Sequence, residues 1–78
     1  MINDYLDDIV AYNPYEVGTI INENRVIRLA TINKELALET YKAYVEKAKK
    51  SKDHYIVFLF DYNKNTNLEY YDSESEVS

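Results

Sequence analysis

The stretch from residue 54 to residue 62 most constrains the fold, because it reads as a β-strand with apolar side chains on both faces. One face carries Tyr55, Val57 and Leu59, and the other carries Ile56, Phe58, Phe60 and Tyr62. A strand of this kind is typical of the centre of a sheet that is covered on both sides, or of a sheet with one exposed aromatic face. The rest of the chain must therefore supply partner strands and at least one covering helix.

Three further strands are predicted from β-branched residues and turn signals. Residues 15–22 and 25–31 are rich in Val, Ile and Thr, and the polar residues 22–24 between them form a hairpin turn in which Asn tolerates positive φ. Residues 68–72 form the last strand, which the polar loop 63–67 joins to residues 54–62.

Strict alternation along residues 25–31 assigns each side chain to a face. It places Ile27 and Leu29 toward the core and leaves Arg28 on the exposed face. Gly18, the single glycine of the chain, lies inside the first strand. A glycine at such a position marks a bulge or a close approach of another group.

Two helices are predicted from apolar spacing. The main helix covers residues 34–50, with Thr31 or Asn33 as N-cap, and its apolar stripe consists of Ala37, Leu38, Tyr41, Tyr44, Val45 and Ala48. A short helix is expected over residues 2–11, where Ile2, Tyr5, Leu6, Ile9 and Val10 form one stripe. Asn13 and Pro14 end it.

These elements predict an α+β fold in αββαββ order. Two hairpins make one four-stranded antiparallel sheet, the long helix packs on one face, and the short N-terminal helix caps an edge or the same face. We expect residues 1–72 to form a single domain, since 78 residues allow only one modest core. Residues 73–78 are acidic and polar, and we expect them to form a disordered tail.

The composition argues against catalysis and against bound cofactors or metals. The chain has no cysteine, one histidine and one glycine, so it lacks thiolate or multi-histidine metal sites and a phosphate-binding glycine loop. His54 follows Asp53, but no nucleophile is placed to complete a catalytic site. We therefore predict that the protein is not an enzyme and holds no cofactor or metal.

Charge and tyrosine content favour a protein partner. Acidic residues number 14 and basic residues 9, which gives a net charge of −5, and the acids concentrate toward the two ends of the chain. If those ends lie close together, they present one negative surface to a basic partner. Nine tyrosines offer rigid contact area with a polar tip. The candidate partner-binding residues are Asp4, Asp7, Asp8, Asp61, Glu69, Tyr70, Tyr71 and Asp72.

In size, acidity, Tyr and Asn content and α+β layout, the chain resembles the small phage-encoded inhibitors of the anti-CRISPR and anti-restriction type. The resemblance implies a non-enzymatic inhibitor that binds a host protein with a basic, nucleic-acid-binding surface, as a DNA mimic does. The resemblance assigns a functional role to no individual residue of this chain. Because the composition is typical of an AT-rich genome, we expect the protein to be located in the cytoplasm of a low-GC bacterial host.

Two other classes of function stay open. A small single-stranded nucleic-acid-binding module would use Lys47, Lys49, Lys50, Lys52, Arg25 and Arg28 with aromatic residues on an exposed sheet face. The net negative charge makes direct nucleic-acid binding the weaker expectation. An accessory or structural protein would instead pair its sheet edge with a second copy, which leaves a homodimer open. No membrane contact is expected, since the longest apolar run has six residues, Tyr55 to Phe60.

Overall fold

A computed structural model describes residues 13–75 of the chain. Four strands and one helix follow in the order β1 (Tyr15–Ile21), β2 (Asn24–Thr31), α1 (Lys34–Lys50), β3 (Tyr55–Asp61) and β4 (Thr66–Asp72). The helix predicted for residues 2–11 lies outside the described residues, as does the end of the predicted tail.

The four strands form one antiparallel sheet in the spatial order β2-β1-β3-β4. The predicted α+β class, with a four-stranded antiparallel sheet and a helix packed on it, is confirmed to this extent. β3 lies between β1 and β4, which agrees with its apolar residues on both faces. β4 begins at Thr66, two residues earlier than predicted, because the turn after β3 is short.

The helix begins and ends where the sequence indicates. The Asn33 side chain accepts a hydrogen bond from the Leu36 amide at 3.1 Å, which makes Asn33 the N-cap. The Thr31 hydroxyl supports this cap by accepting a hydrogen bond from the Asn33 amide at 3.0 Å. Three lysines in the last turn suit the negative end of the helix dipole.

The core lies between α1 and one face of the sheet. One buried cluster joins Val17 and Leu59 to Ala37 of the helix, and a second joins Tyr55 and Val57 to Ala48. Tyr41 packs against both clusters, so the central strands and the middle of α1 share one continuous apolar layer.

A β-bulge in β2 changes the predicted assignment of faces. Val17 pairs with Leu29 but Gly18 pairs with Ile27, so Arg28 is an extra residue on the β2 side. Arg28 therefore points to the helix side, where its Nε donates a hydrogen bond to the buried Thr19 hydroxyl at 3.0 Å. Ile27 faces the other side and is 43% exposed. The predicted core position of Ile27 is thus wrong, while that of Leu29 is confirmed. Arg28 is exposed as predicted, but it lies on the helix side of the sheet and not on the opposite face.

The residue before β1 and the residue after β4 lie at opposite ends of the sheet. Pro14, next to β1, accepts a hydrogen bond from the Tyr62 amide at the end where β3 stops. Ser73, which follows β4, exchanges hydrogen bonds with Tyr55, where β3 begins. A seven-residue strand spans about 20 Å. The points at which the two acidic ends of the chain join the sheet are therefore separated by the length of a strand.

Candidate functional site

The two sides of the sheet differ in what covers them. Helix α1 packs on one side, and within residues 13–75 no helix or strand packs on the other, which we call the open face. Strand pairing and alternation define its side chains. They are Glu16, Gly18 and Ile20 of β1, Arg25, Ile27 and Ala30 of β2, Ile56, Phe58 and Phe60 of β3, and Asn67, Tyr70 and Asp72 of β4.

Phe58 occupies the middle of the open face because Gly18 opposite it has no side chain. A Cβ atom on Gly18 would lie 2.3 Å from Cζ of the Phe58 ring, so the ring rests directly on the β1 backbone. The Arg25 guanidinium lies above the ring, 5.1 Å from its centroid. Phe58 is only 6% exposed as a result, and it forms the floor of the open face.

A polar network crosses the face beside Phe58. The Glu16 carboxylate accepts hydrogen bonds from Arg25 at 3.4 Å and from the Tyr62 hydroxyl at 3.1 Å. The Tyr62 ring meets Phe60 edge to face, with centroids 4.8 Å apart. Burial, and secondly the Glu16 carboxylate, raise the pKa of the Tyr62 phenol, so the phenol stays protonated and donates its hydrogen bond at neutral pH.

A shallow cavity of about 230 Å³ opens between this network and β4. Four of its six lining residues are apolar or aromatic, and the other two, Arg25 and Asn67, carry hydrogen-bond donors. Its lining residues are Ile20, Arg25, Phe58, Phe60, Asn67 and Tyr70. Tyr70 is 55% exposed and forms the outer wall. The arrangement suits one apolar side chain better than a whole small molecule, since small-molecule sites typically enclose about 300 Å³ or more.

One end of the open face holds a histidine between two carboxylates. His54 Nε2 lies 2.9 Å from Asp72 Oδ1, and Nδ1 lies 3.5 Å from Glu74 Oε1. Asp72 also accepts a hydrogen bond from the Glu74 amide at 3.0 Å. That amide, and to a smaller degree His54, lowers the pKa of the Asp72 carboxyl, which keeps it ionised.

The structure separates the residues that the sequence grouped as partner-binding. Tyr70 and Asp72 lie together on the open face. Glu69 and Tyr71 face the helix side, where Tyr71 packs in the core. The pKa of Tyr41 is raised mainly by burial and secondly by the negative charge of Glu69. Asp4, Asp7 and Asp8 lie outside the described residues.

Asp61 is a turn residue rather than part of an exposed acidic surface. It is 3% exposed, and its Oδ1 accepts hydrogen bonds from the Asn63 amide at 2.8 Å and the Lys64 amide at 3.3 Å. Such a carboxylate fixes the start of the β3–β4 turn. The structure thus buries Asp61 in a turn, whereas the sequence pattern placed it among the candidate partner-binding residues.

The basic residues cluster on the helix side of the sheet. Arg28 and Lys47 both lie over the Tyr44 ring of α1, at 5.4 Å and 4.8 Å from its centroid. Lys49 pairs with Glu46 at 3.9 Å on the same helix. Arg25 lies on the open face, and its charge is matched by Glu16. The exposed aromatic residues of the open face and the lysines of α1 thus lie on opposite sides of the sheet.

Sequence reasoning missed three components of the open face. The Phe58–Gly18 contact, the Arg25–Glu16–Tyr62 network and the His54–Asp72 pair all join residues that are distant in the chain. The lone glycine within the first strand was the available signal for the first of these. The other two depend on strand register, which no local pattern supplies.

No protein-family model matches the chain, and no curated protein or solved structure is significantly similar to it. In the part of the chain that the structure describes, no group of three His, Cys, Asp or Glu side chains is arranged to hold a metal ion. Over the same residues, α1 is neither long nor apolar enough to cross a membrane.

The interactions of Asp72 predict how the stability of the protein changes as the pH falls. A carboxyl with a lowered pKa in the folded state stabilises the fold above its unfolded pKa, about 3.9, and this contribution is lost as the pH falls through the folded value. We expect Asp72→Asn to be less stable than the parent chain above pH 5, and its melting temperature to fall less steeply between pH 5 and pH 3. Melting curves followed by circular dichroism measure this, with Glu74→Gln at an exposed carboxylate as the matched control. Parallel curves for the parent and Asp72→Asn contradict the prediction.

Proposed function

We propose that the chain is a non-catalytic protein-binding module that uses the open face to contact its partner. The observation that carries this proposal is the exposure of aromatic and aliphatic side chains on the open face, with Ile27 at 43% and Tyr70 at 55%. Tyrosine is enriched at binding hot spots because it combines a large rigid contact area with a polar tip. Asp72 and Glu74 supply carboxylates at the rim of the same surface.

The partner that we propose is a host protein with a basic, nucleic-acid-binding site, which the chain inhibits by occupying it. The net charge of −5 supports long-range attraction to such a site. All nine basic residues lie within residues 13–75, whereas Asp4, Asp7, Asp8 and Glu76 lie outside them, so most of the negative excess belongs to the ends of the chain. Those ends contribute attraction, and the open face contributes the contact area.

Single-stranded nucleic-acid binding is the less favoured function. A sheet that stacks bases needs basic residues around its aromatic face to hold the phosphates. Here the cationic side chains around Tyr44 lie on the helix side, and the single arginine of the open face is paired with Glu16. A base stacked on Tyr70 would meet Asp72 two positions further along the strand.

Self-association through a sheet edge is also less favoured. Both edge strands carry an irregularity. In β2 it lies at Arg28. In β4 it lies between Asn67, which pairs with Phe60, and Glu69, which pairs with Leu59. Bulges on edge strands are a common way to prevent pairing with another chain.

The proposal is tested by affinity capture from a low-GC bacterial lysate, with bait variants on the two sides of the sheet. We expect nuclease-treated lysate to yield a protein that the parent chain and a Lys50→Gln, Lys52→Gln double variant capture equally. Tyr70→Ala should reduce its capture about tenfold or more, as is typical of a hot-spot residue. Circular dichroism of Tyr70→Ala checks that the variant folds. Capture that disappears with nuclease, or that depends on the lysines and not on Tyr70, contradicts the proposal and favours nucleic-acid binding.

A further inference from the structure

The cavity on the open face has a rigid floor and one adjustable wall. The Phe58 ring is held between the Gly18 backbone and the Arg25 guanidinium, so it cannot move to fill the cavity. Tyr70 stands opposite Phe58 in the strand pairing and is the most exposed aromatic residue of the face. An apolar side chain inserted between them would displace water from four apolar walls.

Two carboxylates that share one histidine lie at a fixed distance from this cavity. Asp72 follows Tyr70 by two residues in β4, so both point to the open face about 7 Å apart along the strand. His54 and the Glu74 amide hold the Asp72 carboxylate in place, and Glu74 adds a second carboxylate, itself 70% exposed, beside it. This end of the face therefore favours a cationic group.

An extended peptide repeats its side chains with the same spacing. Residues i and i+2 of an extended segment point to one side and lie about 7 Å apart. A segment that runs along β4 over the open face would thus bring one side chain to the cavity and the other to Asp72 and Glu74. Arg25 and Asn67, on the cavity wall, carry donors that suit the carbonyl groups of such a segment.

We propose that the open face recognises an extended segment of its partner in which an apolar residue and a lysine or arginine stand two positions apart. The apolar side chain enters the cavity beside Tyr70, and the cation pairs with Asp72 and Glu74. The inference rests on the proposed function, because it takes the open face as the binding surface, and it adds the chemistry of what binds there.

The test is an NMR titration of the whole isotopically labelled chain with three capped heptapeptides. The first contains Phe-Thr-Lys, the second Phe-Thr-Glu, and the third Phe-Thr-Thr-Lys, which breaks the spacing. We expect the first to bind with a dissociation constant near 1 mM, a strength typical of one anchor and one ion pair, and to shift the amides of Phe58, Phe60 and Tyr70. The other two should bind at least fivefold more weakly.

Two variants separate the contributions of the cavity and of the carboxylate. Asp72→Asn should reduce the preference for Lys over Glu to less than twofold, while Glu39→Gln on the exposed surface of α1 leaves it unchanged. Tyr70→Ala should weaken the Lys and Glu peptides alike. Equal affinity for these two peptides in the parent chain, or shifts confined to α1, would overturn the inference. If that happens while capture still depends on Tyr70, only the partner chemistry is wrong; if capture is independent of Tyr70, the proposed function fails as well.

Discussion

Replacing Leu59 by alanine is expected to remove a large part of the protein's free energy of unfolding. Leu59 is fully buried in the central strand, where it packs with Val17 of β1 and Ala37 of α1. Truncation of such a leucine costs about 3–5 kcal/mol, because the lost apolar contacts leave a cavity that the surroundings fill only in part. A domain of this size has a total stability of roughly 4–12 kcal/mol. Urea unfolding followed by circular dichroism measures the loss.

The matched control is Leu36→Ala, which makes the same chemical change in the first turn of α1. Leu36 is 42% exposed, and only its backbone amide takes part in the Asn33 cap. We expect its free energy of unfolding to change by about 0.5 kcal/mol or less, since alanine has the higher helix propensity and little apolar contact is lost. Similar losses in the two variants would show that the core is not where the structure places it.

The centre of the fold is predictable from sequence because its signal is local and redundant. The apolar residues of β3 on both faces indicate a central strand, and the structure places β3 between β1 and β4. The helical stripe of residues 37–48 and the Asn33 cap likewise agree with the observed α1. Each of these predictions depends on side-chain periodicity within one element, which needs no knowledge of the neighbours.

The faces of the outer strands are less predictable because a bulge reverses the alternation. In β2 the extra residue Arg28 leaves Ile27 on the open face and turns Arg28 toward Tyr44. Periodicity alone cannot show a bulge, since one inserted residue changes the face of every side chain on one side of it. Gly18, at the observed register shift, was the residue that signalled the irregularity.

The candidate site was predictable only in part for the same reason. Alternation along a strand places the neighbours Tyr70 and Tyr71 on opposite faces, as the structure does, but which of them is exposed depends on where α1 packs. Asp61 was assigned to a binding surface because it is an acidic residue next to Tyr62. Its position directly after a strand and before Tyr62-Asn63-Lys64 is typical of a turn-forming aspartate, and this local signal predicts the observed hydrogen bonds to the turn.

Replacing Gly18 by valine is expected to destabilise the protein by about 2–3 kcal/mol, although valine ordinarily favours a strand. A Cβ atom at position 18 would lie 2.3 to 3.0 Å from three atoms of the Phe58 ring, and real contacts are longer. The ring has little room to retreat, because Arg25 covers it and Phe58 is 6% exposed. Either the ring leaves the face or β1 separates from β3, and both cost packing energy. Thermal unfolding should show a melting temperature lower by roughly 8–20 °C.

Two further variants distinguish a clash with Phe58 from a general effect of side-chain size. Ala30→Val adds the same kind of bulk to an exposed position of the same face, and we expect it to change stability by about 0.5 kcal/mol or less. Phe58→Leu shortens the group that would clash, so Gly18→Ala should cost less in the Phe58→Leu background than in the parent chain. In a double-mutant cycle the double variant should therefore lose less stability than the sum of the two single losses. Additive losses would mean that the glycine is required for the backbone conformation of β1 and not for the ring, and the Phe58 floor of the cavity would lose its structural basis.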